Sequence, residues 1–361
     1  MKAAIFKEVG KPLEIEEIAI SKPGPREVLI RTAAAGVCHS DLHFIKGLYP
    51  AVTPMVLGHE SAGIVEQVGS DVEYVKPGDH VITCLSVFCG HCEHCLTGHM
   101  SLCNHTETRR GKDEEPRLSI DAQPVQQFAD LSSFAEQMLI HEHGLVKIRE
   151  DMPLDRAALI GCAVTTGVGS VFHTASVEPG SKVAVIGCGG VGLSCINGAA
   201  IAGAGQIIAV DMVDSKLEMA KEFGATHTVS GKNGDVVEQI RELTGGGVHY
   251  AFEAIGLKET AEQAFSMIRA GGTAVIIGMI PVGVKIELMG AAFLQEKKII
   301  GSMMGSNRFR VDMPRFIDFY LAGKLHLDQM ISKRIGLEQI NEAFVDMEKG
   351  AVARSVIVFD H

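Results

Sequence analysis

The sequence lacks several things, and each absence narrows what the protein can do. It has no positive charge excess: 33 lysines and arginines face 44 aspartates and glutamates, a formal balance of −11. Such a surface disfavours nucleic-acid backbones and anionic membranes, so neither is expected as a partner. No apolar stretch approaches a membrane span, because glycines and charges interrupt each one. The opening MKAAIFKEVGKPLEIEEIAI is charged and alternating, and does not read as a secretion signal. A reducing cytoplasm is therefore the expected compartment. There, 9 cysteines are expected to hold metal rather than form disulfides. No useful internal repeat is present. What is left is an ordinary globular balance, 46% hydrophobic and 21% charged, in 361 residues, room enough for two domains with separate cores.

The chain is organised around residues 182–211, KVAVIGCGGVGLSCINGAAIAGAGQIIAVD. An apolar strand (183–186) enters the turn Gly187-Cys188-Gly189-Gly190-Val191-Gly192, a small-residue helix follows, and a second strand (207–210) ends on Asp211. Each part has a job in binding a dinucleotide. Gly187 permits the tight turn, Gly189 lets backbone approach a pyrophosphate, and Gly192 lets the helix pack on the strand. The helix start offers free N–H groups and a positive dipole end to the phosphates. Asp211 stands where a carboxylate can accept hydrogen bonds from the adenosine ribose. It would repel a 2′-phosphate, and no arginine follows in Met212-Val213-Asp214, so NAD is the expected cofactor. A glycine-rich turn in a doubly wound protein that binds no dinucleotide is the competing reading; the acid at the right distance disfavours it.

Upstream, short strands alternate with turns at residues 21–25 and Lys76-Pro77-Gly78-Asp79, an all-β pattern. Periodicity says nothing of what Cys38 and His59 do there; taken singly, a buried thiol and a hydrogen-bonded core histidine are the commoner readings. Cys89, Cys92, Cys95 and Cys103 are different. Their spacing, C-x2-C-x2-C-x7-C, suits a closed tetrahedral zinc site with no position left for water, hence a structural one. An iron–sulfur run would continue x3-C-P, and a nucleic-acid finger would want a basic surround; this loop has neither. His91, His94 and His99 read as solvated. Residues 104–133 are polar, with a charged run around Arg109-Arg110-Gly111-Lys112, and read as a solvated surface loop. From about 164 to 301 strands and helices alternate in the α/β manner. Gly271-Gly272 and Gly278 are expected at ligand-facing strand ends. A helix near 313–322 and a strand at 355–359 are expected to return to the first domain.

Gly36-Val37-Cys38-His39-Ser40-Asp41-x-His43, then Gly58-His59-Glu60-x-x-Gly63, then the thiolate loop and the nucleotide fingerprint, together resemble the zinc-containing medium-chain alcohol dehydrogenases over essentially the whole chain. The resemblance implies an α/β fold: a β-rich GroES-like catalytic domain over 1–163 with a structural zinc lobe at 89–103, a doubly wound Rossmann domain over 164–301, and a return to the catalytic domain over 302–361. It implies two Zn²⁺ per chain. The second, catalytic ion is held by Cys38, His59 and Cys162, with a fourth position open. Zinc there would acidify an alcohol hydroxyl, and the alkoxide would push hydride to the nicotinamide. The resemblance makes Ser40 the hydroxyl beside the alkoxide and His43 the outer end of a proton relay through the cofactor ribose. It makes Asp41 the partner that orients His59, and puts Glu60 behind the metal. It places Thr166 and Met279 near the nicotinamide, Lys216 with Asp211 near the adenosine ribose, and His39 and Arg354 near the pyrophosphate.

Pocket-lining positions by the same resemblance are Ser40, Tyr49, Leu85, Phe134, Met279 and Met303. Their character suggests a roomy apolar pocket, and so aromatic, terpenoid or longer-chain primary alcohols or their aldehydes. Glutathione-dependent formaldehyde (S-hydroxymethylglutathione) oxidation is the alternative within the family. That branch carries an arginine where Glu107 stands here, although Arg109 and Arg110 are close. A non-catalytic zinc and nucleotide-binding relative is the alternative from another class. The long 104–133 segment resembles members that form homodimers.

Overall fold

The computed structural model describes residues 1–111, 113–350 and 353–360; Lys112 of the charged run, and Ala351, Val352 and His361 of the returning segment, lie outside the described residues. The chain divides into two compact units, one of Met1–Cys162, Arg308–Asp318 and Leu327–His361, the other of Ala163–Asn307 and Phe319–His326. The mixed α/β class expected from the sequence is present, with a β-rich first unit and a doubly wound second one.

In the first unit the strand Glu27–Gly36 is the axis of a seven-stranded sheet. Val28, Leu29 and Ile30 run without alternation, as a strand covered on both faces must. It pairs antiparallel with Ser61–Val68, Gln137–His141 and the final strand Arg354–Val358. That final strand therefore sits in the same sheet as the residues leading to Cys38. A second, six-stranded sheet runs through Lys2–Phe6, Met55–Val56, Gln123–Gln127 and Leu118–Ile120. Residues 104–133 are thus more than a solvated loop. The cause is Glu27, buried at the start of its strand. Its carboxylate accepts from Arg117 Nε at 2.7 Å and Arg110 Nε at 3.1 Å. Arg110 also donates to Ser21 Oγ and Lys22 O, and Arg117 to Thr108 O. Two of the segment's cations, Arg110 and Arg117, are thus held inside a clamp, while Arg109 and Asp113–Glu115 stay exposed as expected.

The second unit is built on six parallel strands in the order His227–Ser230, Gln206–Asp211, Lys182–Ile186, Val248–Glu253, Ile268–Ile276, Lys298–Gly301. The order reverses direction between Lys182–Ile186 and Val248–Glu253, the switch point at which such sheets take ligands. Its core gathers Ile186, Ile208, Val210, Ala251 and Phe265. Gly278 follows the carboxyl end of its strand as expected. Gly271-Gly272 do not: they lie near the opposite, entry end of Ile268–Ile276. The return at 302 is also later than expected. Residues up to Asn307, and Phe319–His326, group with the second unit. Polar contacts explain this: Ser302 Oγ bonds both Ser170 and Thr174 hydroxyls at 2.8 Å, and the Asn197 side chain takes the His326 N–H and donates to Lys324 O.

One helical run, Leu154–Thr174, is long and apolar enough by composition to cross a bilayer, which the glycine-interrupted sequence did not suggest; 83% of its apolar window is buried within the protein. Two of its turns, Ile160–Val164 and Ser170–Thr174, are π-helical.

Candidate active site and metal centres

The first unit assembles a buried donor cluster from three separate pieces of chain. Cys38 precedes the helix His39–Ile45, in extended conformation. His59 follows a turn in which Gly58 takes φ +92°, a left-handed conformation that admits glycine, with no room there for a side chain against Ser133 and Phe134. Cys162 sits in the π-helical turn Ile160–Val164, a local distortion common at functional sites. The donor atoms of Cys38, His59 and Cys162 all lie within 4.8 Å of one another, and all three residues are buried.

Asp41 orients the cluster. Its Oδ1 accepts from the Gly58 N–H at 3.0 Å and meets His59 Nδ1 at 3.2 Å, while Oδ2 accepts from the Cys38 N–H at 3.4 Å. With Nδ1 so engaged, Nε2 is the nitrogen His59 has left to give to an ion. The hydrogen bond between the two thiols pulls Cys38 well below the ordinary thiol range and pushes Cys162 well above it; Arg354 further favours the Cys38 anion. Two buried sulfurs sharing one proton is the state a divalent cation relieves. The soft Cys₂His donor set therefore fits zinc with one position left open.

Behind the cluster, Glu60 is fully buried and ion-paired with Arg354 at 3.2 Å. Arg354 Nη1 also donates to Val37 O at 3.1 Å. Arg354, expected near a pyrophosphate, thus has Glu60 as its ion-pair partner, and its strand pairs with the one that leads to Cys38. Ser40 Oγ lies 3.6 Å from Cys38 Sγ. His43, one helical turn on from Ser40, stacks on Tyr49 with rings 6.2 Å apart and 5° from parallel. Burial lowers the His43 pKa, and among the described residues its buried Nδ1 has no hydrogen-bond partner. His39 is exposed at the head of the same helix, its ring 6.3 Å from His43.

The pocket expectations fare unevenly. Tyr49 is brought to the relay helix. Leu85 packs against the core around Val28 and Leu145. Phe134 is no lining residue: it is fully buried, edge-on to Phe344. The aromatic beside the metal ligands is instead Phe128, 5.5 Å from His59 and 4.8 Å from Phe44. Sequence reasoning missed it because it lies in the segment read as loop; an apolar residue closing the polar run QPVQQ was the available signal. Met279 and Met303 belong to the second unit, where Met303 is about half exposed.

The four loop cysteines also converge. Cys92 and Cys95 sulfurs are 3.5 Å apart, Cys89 and Cys95 3.8 Å, Cys92 and Cys103 3.9 Å. Burial works against the Cys89 thiolate, but the His91 and Cys92 N–H groups overcome it and bring that thiol down to about 6. Burial, then its thiol neighbours, push Cys95 up to about 12. Only a cation lets all four ionise together, and this donor set fits structural zinc.

In the second unit the helix Gly190–Ile201 starts directly from Gly189 with no side-chain cap, leaving its first N–H groups for a ligand. A side chain at Gly192 would meet Gly187 O at 1.7 Å, so only glycine closes this turn. Val191 lies in the helix's first turn. Asp211 ends its strand with Oδ2 accepting from the Cys188 N–H at 2.8 Å and Oδ1 from the Val213 N–H at 2.9 Å, which ties the acid to the turn. Lys216 lies in the helix Asp214–Glu222 that follows. Thr166 is buried, its hydroxyl against Met304 Sδ at 3.2 Å. A residue the sequence did not single out, Glu253, takes the Ile255 and Gly256 N–H groups on Oε1 at the carboxyl end of the neighbouring strand.

Residues 24–150 match the model of the alcohol dehydrogenase GroES-like domain, and residues 190–321 that of the zinc-binding dehydrogenases. The S-(hydroxymethyl)glutathione dehydrogenase of Paracoccus denitrificans is 37% identical, over 99% of each chain. The chain belongs to the zinc-dependent medium-chain alcohol dehydrogenases. An alcohol dehydrogenase class-3 of Cereibacter sphaeroides is 38% identical over 99% of each chain. The benzyl alcohol dehydrogenase of Acinetobacter calcoaceticus superposes with a TM-score of 0.94 at 33% identity, over 99% of each chain. This dehydrogenase is accordingly an NAD-dependent oxidoreductase that uses zinc, and the donor clusters of its first unit have the chemistry that requires.

Proposed function

We propose that the enzyme oxidises a primary hydroxyl to the aldehyde level with reduction of NAD, and that its substrate is the S-hydroxymethyl adduct of glutathione and formaldehyde. The observation that carries the substrate is the name of the P. denitrificans relative, matched from end to end. The hydroxymethyl group would become a formyl thioester, with hydride passing to the nicotinamide and one proton released. Bound to Cys38, His59 and Cys162, zinc supplies a Lewis acid that makes the hydroxyl acidic near neutral pH. The chain's residues handle the proton. Ser40 Oγ accepts it beside the cluster, and His43, kept neutral by burial, takes it onward. Asp41 holds His59 in the tautomer that leaves Nε2 free.

A second reading, an aromatic primary alcohol, draws on Phe128, Phe44 and Tyr49 around the ligand His59 and the relay His43, and on the likeness to the benzyl alcohol dehydrogenase. It also draws on Glu107, which stands where the formaldehyde branch carries arginine, and on Arg110, which is spent on Glu27. The two readings part on one experiment. Purified enzyme with NAD is given glutathione plus formaldehyde, and separately benzyl alcohol. The first reading expects kcat/KM at least about tenfold higher for the adduct, with no turnover of formaldehyde alone; a preference for benzyl alcohol reverses it.

We further propose a homodimer. Val282, Val284, Met289, Phe293 and Leu294 expose apolar side chains, Leu294 by 90%, close in sequence to the sheet-edge strand Lys298–Gly301. An open edge beside an apolar patch is what a second copy of the same chain can cover. Light scattering of Leu294→Glu should show monomer where the parent protein shows dimer; a monomeric parent contradicts the proposal.

A further inference from the structure

The four-thiolate loop carries more ligand chemistry than its zinc needs. His91 lies between the first two cysteines, and His105 and Glu107 follow the fourth. Folding the loop brings them to one place. Cys103 Sγ accepts the Cys89 N–H at 3.3 Å, which holds the two ends of the loop together. His91 and His105 then face each other edge to face, ring centroids 5.2 Å apart. Glu107 sits between them, Oε1 on His91 Nε2 and Oε2 3.2 Å from His105 Nδ1. The ligand atoms of Cys89, His91, His105 and Glu107 all lie within 4.8 Å of one another. His91, Glu107 and His105 side chains are 62%, 48% and 39% exposed, so the group opens to solvent.

An ordinary surface ion pair needs one histidine and one carboxylate. Two imidazoles turned onto the two oxygens of a single carboxylate, with a thiolate in reach of all three, is a donor set for a borderline cation such as zinc, cobalt or nickel. A cation there would replace the protons that now join the rings to Glu107. Cys89 belongs to both donor groups, so its sulfur is placed to bridge an ion in the cage and an ion outside it.

We propose that His91, His105 and Glu107 form an additional, solvent-facing site for a borderline divalent cation, contiguous with the four-thiolate cage through Cys89. The site is distinct from the catalytic cluster, and its test needs no substrate. The zinc-loaded enzyme is dialysed against buffers of fixed free Zn²⁺, and bound zinc is counted by mass spectrometry. One equivalent beyond the two resident ions should bind in the micromolar range of free zinc. Its affinity should fall ~10-fold or more in His105→Ala and in Glu107→Gln, both exposed positions, while the resident zinc and the unfolding midpoint stay unchanged. No additional equivalent in that micromolar range, or one that survives the double variant His91→Ala/His105→Ala, overturns the proposal.

Discussion

At the scale of single residues, a few polar groups hold the others in place. Asp41 takes two backbone N–H groups and His59 on one carboxylate. Asp41→Asn should cost ~10–100-fold in zinc affinity or activity, read as zinc content and kcat/KM on the same preparation. His43 carries a lowered pKa because it is half-buried. It is therefore neutral and able to accept a proton at pH 7, and loses that ability as pH falls through its depressed value. His43→Gln should lower kcat by ~100-fold and abolish the acid limb of the pH–rate profile. These positions were legible in the sequence through the family resemblance, because Cys38, Ser40, Asp41 and His43 stand in one short pattern and His59 in a second. Arg354 was picked out by the resemblance, near the pyrophosphate, but its partner was not legible, since Glu60 is almost three hundred residues away and only the sheet brings them together. Phe128 was missed because its segment reads as loop, and its contact with His59 is made by tertiary packing.

At the scale of elements, the nucleotide turn separates folding from binding. A side chain at Gly192 collides with Gly187 O, whereas one at Gly189 meets nothing within 4 Å. Gly192→Ala should lower the unfolding temperature and abolish NADH binding. Gly189→Ala should leave the unfolding temperature unchanged and weaken NADH roughly tenfold, as fluorescence titration would measure, because it fills space meant for phosphate. This strand–turn–helix was the most legible part of the chain, since every constraint on it is local. The strands of the first unit were harder. Gln123–Gln127 and Leu118–Ile120 are short and carry few apolar residues; Leu118 and Val125 join the core, and Glu27 draws Arg110 and Arg117 inward beside them.

At the scale of the whole molecule, that clamp sets acid stability. Burial works to raise the Glu27 pKa, but Arg110 and Arg117 prevail and hold it below the usual carboxylate value. A carboxyl depressed in the folded state stabilises fully above its unfolded value, and the contribution is lost as pH falls through the folded one. Unfolding midpoints should therefore drop more steeply below about pH 4 in the parent than in Glu27→Gln. At pH 7 that variant should be less stable by about 3–5 kcal/mol, since it leaves buried guanidinium charge unpaired. Two-unit organisation was readable from the switch between β-rich and alternating stretches. The boundary near 302 was not, because side-chain hydroxyls and Asn197 decide it. Cys38, His59 and Cys162 form the donor cluster on which zinc-dependent, NAD-linked alcohol oxidation should turn. Its most direct test follows NADH absorbance as the enzyme meets NAD with the glutathione–formaldehyde adduct or benzyl alcohol, beside a chelated sample and the Cys38→Ala variant. NADH should form in the untreated enzyme alone. Turnover that persists in zinc-free samples, or none in enzyme shown to hold zinc and NAD, would contradict it.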